Sequence, residues 1–234
     1  MEAKDNEFLE IGGKALFKST VGLIPFLGNT ALEIYNEVQS KQVERKIKRL
    51  EEFYQSLDAR LQTLEDRINK EFVSKDDFLD VFEETSRYII TERVDKKRDY
   101  FNNILVNSII SPICDFDQTE RYLRLLDNLN EQELSILAVL DNPYEYNRRH
   151  SMIIKDPSDN SLLSSWQQVT AGGVLTKLLG INIHILTESI TVLWSNGLII
   201  DNSLDKKLHT NANPIYVLKD LLTHKGRNFV NYLK

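Results

Sequence analysis

The chain has a single cysteine, Cys114, among its 234 residues. An intrachain disulfide and a cysteine-built zinc site are therefore excluded, and a reducing, cytoplasmic setting is the natural expectation. Prolines (5) and glycines (9) are scarce, so few positions interrupt regular structure. Long apolar runs are lacking too: the stretch between Lys18 and Glu33 holds 14 uncharged residues, short of the roughly 20 that one helix needs to cross a bilayer. Met1 to Glu10 is acidic and has neither the basic start nor the apolar run of a signal peptide, which makes export unexpected. Basic charge is in deficit, and the net −6 arises in residues 1–128, where 19 Lys and Arg face 25 Asp and Glu. A broad cationic surface for nucleic acid is thus missing, which demotes that partner. His150, His184, His209 and His224 lie too far apart for a metal site on one helix, and Ala171-Gly172-Gly173 lacks the Lys-Ser or Lys-Thr of a phosphate loop. With no nucleophile elbow either, no catalytic residue, cofactor or metal is assigned, and an enzyme is not expected.

What is present is a heptad. Val43, Ile47, Leu50, Tyr54, Leu57, Leu61, Leu64 and Ile68 follow one another at alternating spacings of four and three, the pattern of a coiled-coil seam. The seam opens in a basic stretch, Lys41, Arg45, Lys46, Lys48 and Arg49 against the single acid Glu44, and just upstream Leu23, Ile24, Phe26 and Leu27 sit in a segment broken by Gly22, Pro25 and Gly28. Two readings of this tip stay open. Its apolar residues enter a membrane interface or a partner, with the basic residues on anionic headgroups, or they cap the domain core beside a solvated helix flank. The seam has two readings as well, a homo-oligomeric coiled coil or an intrachain hairpin.

Asn29 or Thr30 offers a cap for a helix that runs from about Thr30 to about Lys70, since nothing between Asn36 and Gln42 breaks it. Ser74 with Asp77 reads as a capping box opening a second long helix that Pro112 ends. Asp117 and Asn130, the latter with Glu133, start two shorter helices. Turn-forming residues fill Asp141 to Ser165. Beyond them the pattern predicts a helix from about Trp166 to Leu179, a break at Gly180, a helix from about His184 to Asn196, strands at Leu198–Ile200 and Ile215–Leu218, and a last helix capped by Thr223. The expected fold is mainly α: a helical tip (1–40), a long helical hairpin or coiled coil (41–128), and a third region (129–234).

That third region resembles a winged helix, with a small β-hairpin. The likeness rests on Leu193-Trp194-Ser195-Asn196-Gly197-Leu198-Ile199 and on Leu222-Thr223-His224-Lys225-Gly226-Arg227. The resemblance implies that the His184–Asn196 helix is the one that would read DNA, yet it carries no Lys or Arg for phosphates or guanines. Lys206, Lys207 and His209 in the wing offer weak phosphate contact at most. A protein-docking or structural use is expected instead.

Arg98-Asp99-Tyr100-Phe101-Asn102-Asn103-Ile104-Leu105-Val106-Asn107, followed by Pro112 and a leucine-rich stretch from Leu125 to Leu140, resembles the core of Abi-alpha-type bacterial abortive-infection proteins. That resemblance implies a role in phage defence and carries over no catalytic residue. The expectation is a nonenzymatic antiviral-defence component that assembles and engages a membrane or partner. An adaptor bridging larger defence proteins and a DNA-binding regulator are the alternatives. The expected partners are a protein, including a second copy of the chain, or an anionic membrane surface, which would place it at the periphery of the inner membrane.

Overall fold

Four heptad residues, Leu50, Tyr54, Leu57 and Leu61, are buried inside one chain in the computed structural model. The structure describes residues 27–40, 44–110, 116–150, 154, 168–202, 204–205, 207–209 and 214–234. The fold is mainly α, and the chain divides into two units, Met1–Asn128 with Tyr232–Lys234 and Leu129–Asn231.

Unit 1 is built from α1 (Leu27–Ser40), α2 (Glu44–Thr63), a short α3 (Lys70–Val73), α4 (Asp76–Thr91), α5 (Asp95–Ile110) and α6 (Phe116–Asn128). The seam face of α2 packs on α4 and α5, and α1 packs on α2 and α4. Aromatic rings fill the joint: Phe82 of α4 stacks on Tyr54 and Phe53 at 5.7 and 6.1 Å, and Tyr88 stacks on Phe101 of α5 at 5.0 Å. Such pairs add to the area they bury, by about 0.5–1.5 kcal/mol each. Of the other heptad positions, Ile68 is buried, Ile47 and Leu64 are half-buried, and Val43 lies outside the described residues.

Three sequence expectations are corrected here. Neither Asn29 nor Thr30 starts the first helix, since α1 already begins at Leu27. The continuous helix to Lys70 stops at Thr63, and a 3-10 turn (Glu65–Arg67) and an extended Ile68 follow before Asn69 caps α3 through the amide of Phe72 at 3.1 Å. Ser74 does not cap α4. Its backbone is helical, not extended as a cap requires, and its hydroxyl turns back to donate to the Glu71 carbonyl at 3.0 Å.

The second long helix is also two, with no glycine or proline to mark the break. Glu92 leaves α4 in an extended conformation, and its carboxylate accepts the amides of Arg93 and Val94 at 2.6 and 2.8 Å. It also meets Lys97 at 3.2 Å, a buried lysine that donates to the Asp127 carbonyl. Burial pushes the Glu92 carboxyl upward, but the Val94 amide and Lys97 outweigh it, and the net shift is below the usual value of 4.5. A lowered folded-state pKa contributes stability above the unfolded pKa and loses it as pH falls through the folded value. Glu92→Gln is expected to lower unfolding free energy by about 1–2 kcal/mol at neutral pH. That deficit should vanish in acid, once the wild-type carboxyl is itself protonated, as paired urea titrations would show.

Unit 2 begins with α7 (Glu131–Asp141), held by the capping box the sequence predicts: Asn130 accepts the Glu133 amide and Glu133 accepts the Asn130 amide. Then come α8 (Pro143–Arg149), β1 (Gln168–Thr170), α9 (Ala171–Leu179), α10 (Ile183–Ser195), β2 (Lys207–His209) and α11 (His224–Tyr232). Asn147, 1% exposed, bonds both the carbonyl and the amide of Ile154, at 2.8 and 2.9 Å. The helix expected from Trp166 instead starts at Ala171, because Thr170 is an extended N-cap whose hydroxyl accepts the Gly173 amide at 3.1 Å. β1 and β2 pair antiparallel, Thr170 opposite Lys207 and Gln168 opposite His209. The strand expected at Leu198–Ile200 is reduced to one bridge, Ile199 with Leu222, and that expected at Ile215–Leu218 is a 3-10 turn. Pro214 opens this turn with a φ fixed near the helical value, and Ile215, Val217 and Leu218 are buried while Tyr216 faces out.

The junction between α10 and α11 follows the expected residues closely. Gly197 turns out of α10 at φ +69°, and the Leu198 amide donates to the Leu193 carbonyl. Thr223 then caps α11 by accepting the Gly226 amide at 2.9 Å while its hydroxyl donates to the Gly197 carbonyl at 2.7 Å. Gly226 lies against the backbone of Leu198, where a Cβ would overlap the carbonyl oxygen.

Candidate functional site

The residues singled out in the sequence fall into separate places. Of the tip, Leu23, Ile24, Phe26 and Lys41 lie outside the described residues, and Leu27 is described only as the first residue of α1. Arg45 and Lys48 are exposed, the latter beside Glu52 at 3.8 Å, and Lys46 is half-buried. Arg49 is drawn into unit 1, where its Nη1 donates to the Ile90 carbonyl at 3.1 Å. The basic stretch is thus not one continuous solvent-facing patch.

The Arg98–Asn107 motif occupies α5, and three of its asparagines work within unit 1. Asn103 donates to the Leu233 carbonyl at 2.6 Å and accepts from Arg60, while Asn107 donates to the Tyr232 carbonyl at 3.0 Å. Asn102 donates to Ser56 Oγ at 2.9 Å. Two motif asparagines therefore satisfy the backbone carbonyls of Tyr232 and Leu233, residues of unit 1 that follow the insertion, an orphan set that every helix C-terminus leaves. Tyr122 adds a ring contact with Tyr232 at 4.9 Å.

The fourth residue of α2's basic opening and the motif meet at a cleft of about 190 Å³. Arg49, Phe53 and Ser56 come from α2, Ile89 from α4, and Arg98, Asp99 and Asn102 from α5. Arg98 is occupied: it donates to the carbonyls of Glu92 and Arg93 and pairs with Asp95 at 2.7 Å. Asn102 is 4% exposed, and its Oδ1 is buried without a hydrogen-bond partner. Buried acceptors are nearly always satisfied, which makes this oxygen the outlier of the site.

On unit 2 the notable surface is α10. Leu186, Ile190 and Leu193 turn inward, whereas Ile183, Ile185 and Trp194 are 47, 43 and 48% exposed. Between them stand Thr187 and Thr191, whose hydroxyls donate back to the carbonyls of Ile183 and Thr187 at 2.8 Å. His184, Glu188 and Ser195 complete an outward face with no Lys or Arg. Lys206 lies outside the described residues, and Lys207 and His209 are described by their β2 backbone alone. The sequence places this helix correctly within one residue at each end; its exposed isoleucines were not singled out, although their spacing from Leu186 and Ile190 puts them off the buried face.

Among the described residues no His, Cys, Asp and Glu cluster has the arrangement of a metal site. No single helix among them is long and apolar enough to cross a membrane. The perturbed titrations belong to structural contacts: Arg148 and Arg149 hold the exposed Glu145 down to about 2, and burial with Glu84 beside it pushes Tyr88 up to about 12. Comparison with protein-family models, with curated proteins and with solved structures finds no match.

Proposed function

We propose that this chain is a nonenzymatic component of prokaryotic antiviral defence that works by docking a protein partner, with unit 2 as a winged-helix-like module and α10 as its contact helix. The order β1, α9, α10, the Ile199 bridge, β2 and α11 supports the winged-helix reading, and the Arg98–Asn107 resemblance supports the defence role. The outward face of α10 carries the docking reading. A helix that enters a DNA groove needs cations for phosphate and free donors for base edges, and here there are no cations and the threonine hydroxyls are already bonded to the helix itself. Exposed Trp and Ile beside hydroxyls instead match the centre of a protein interface.

The test is Ile183→Glu with Trp194→Glu in cells challenged with phage. Both side chains are about half exposed, so the melting temperature of the purified variant should stay within about 2 °C of wild type. Loss of two anchor residues should weaken partner binding at least about 30-fold and abolish protection, read as plating efficiency. Full protection by the variant, or saturable binding of duplex DNA by the wild-type chain near physiological salt, overturns the reading.

A further inference from the structure

We infer that the protein docked by α10 is a second copy of this chain, laid antiparallel on it about a twofold axis, an assignment that rests on the docking reading of that helix and names its occupant. Ile183, Thr187, Thr191 and Trp194 follow one another at spacings of four, four and three, so they form one row along the exposed side of α10. From either end the row reads the same: a large apolar residue, two threonines, a large apolar residue. The apolar pair and the threonine pair are centred on the same turn of the helix. A twofold axis through that turn sets each Trp194 against the partner subunit's Ile183 and each Thr187 against the partner subunit's Thr191. That is the self-complementarity a symmetric interface requires.

Covering the row strands no donor, because the Thr187 and Thr191 hydroxyls already donate to carbonyls of their own helix. The short threonines allow two helices to approach, and the half-exposed Ile183 and Trp194 supply apolar area at both ends. Charge selects the occupant. Glu188, the one Asp, Glu, Lys or Arg of α10, points roughly 100° round the helix from Thr187, so a charged partner surface finds nothing on the row to pair with. Unit 2 holds 9 Lys and Arg against 10 Asp and Glu, whereas unit 1 holds 20 against 25. Two copies that join through α10 thus meet at the nearly neutral part of an acidic chain, where self-repulsion is least. Every exposed large apolar side chain among the described residues also belongs to unit 2. One helix face per copy, about 20 Å long, is small beside the interfaces of tight complexes, so the dimer is a weak one.

The test is sedimentation velocity of the full-length chain from about 2 to about 500 μM, across which the wild type is expected to pass from monomer to dimer with a Kd of about 10–100 μM. Ile183→Glu should weaken association at least about tenfold. Tyr144→Glu, on α8 and as exposed as Trp194, should sediment as wild type and so separates the row from general stickiness of unit 2. Cross-linking then reads the geometry. With Cys114→Ser in both chains, a mixture of Thr187→Cys and Thr191→Cys should form a disulfide-linked heterodimer at least about threefold faster than either variant links to itself, since the antiparallel pairing sets those two positions opposite each other. Association that Ile183→Glu leaves unchanged or that Tyr144→Glu equally removes, or cross-linking no faster in the mixture, overturns the proposal. A wild-type chain that stays monomeric to about 500 μM overturns it as well. If the variant with Ile183→Glu and Trp194→Glu has even so lost phage protection, the docking reading stands with a different protein on α10.

Discussion

Leu57→Asp combined with Leu61→Asp is expected to unfold unit 1 outright. The two side chains are 1 and 0% exposed and lie in the face of α2 that packs on α4 and α5. Each substitution removes a buried aliphatic group and forces a carboxyl into the same space, a change that costs several kcal/mol even if the acid stays protonated. Two together approach the whole stability of a typical domain, about 5–15 kcal/mol. Hydrogen exchange should show protection lost throughout α2, α4 and α5. Gln55→Asp, on the exposed side of the same helix, should leave it within about 0.5 kcal/mol. A double mutant that stayed folded and changed only its sedimentation would mean that the seam serves an interface between chains and that the intrachain packing is wrong.

The second large effect is expected at Gly226, where Ala should destabilise by about 2–4 kcal/mol. Helix propensity alone predicts the opposite sign, since Ala is favoured over Gly by about 1 kcal/mol in a helix interior. The difference arises because the added Cβ meets backbone, the Leu198 carbonyl group, with its carbon at 3.0 Å, and backbone has no rotamer by which to withdraw. That carbonyl is further held by the Thr223 amide at 3.0 Å, so relief would break the cap of α11. Thermal melts of Gly226→Ala decide the matter: a stabilised variant would show that the two segments are not in contact.

Both effects rest on features that were legible before any coordinates. The heptad marks the buried face of α2 because period-3.5 apolar spacing selects one side of a helix whatever covers it; what covers it is a tertiary fact, and the pattern left dimer and hairpin equally open. Gly197, Thr223 and Gly226 were readable since each residue type solves a local problem of φ, capping or close approach. Misreadings cluster where a side chain outcompetes local rules. Ser74 matches a capping sequence, but the one-turn α3 before it takes its hydroxyl. The break at Glu92 has no glycine or proline, because a carboxylate supplies the turn's hydrogen bonds and its partner Lys97 comes five residues later. At Ile215–Leu218 an apolar run of strand length became a 3-10 turn, a distinction that periodicity does not make over so few residues. The cleft could not be found from spacing at all, as its walls come from three helices.

The chain leaves unit 1 at Asn128 and comes back to it at Tyr232, so the whole of unit 2 is an insertion in a domain whose closing segment follows unit 2 in the chain. Asn103 and Asn107 wait on the carbonyls of Leu233 and Tyr232, and until those arrive two amide groups of α5 stand without their partners. During synthesis unit 2 thus has all of its segments before unit 1 does, and the domain that begins first is the one completed last.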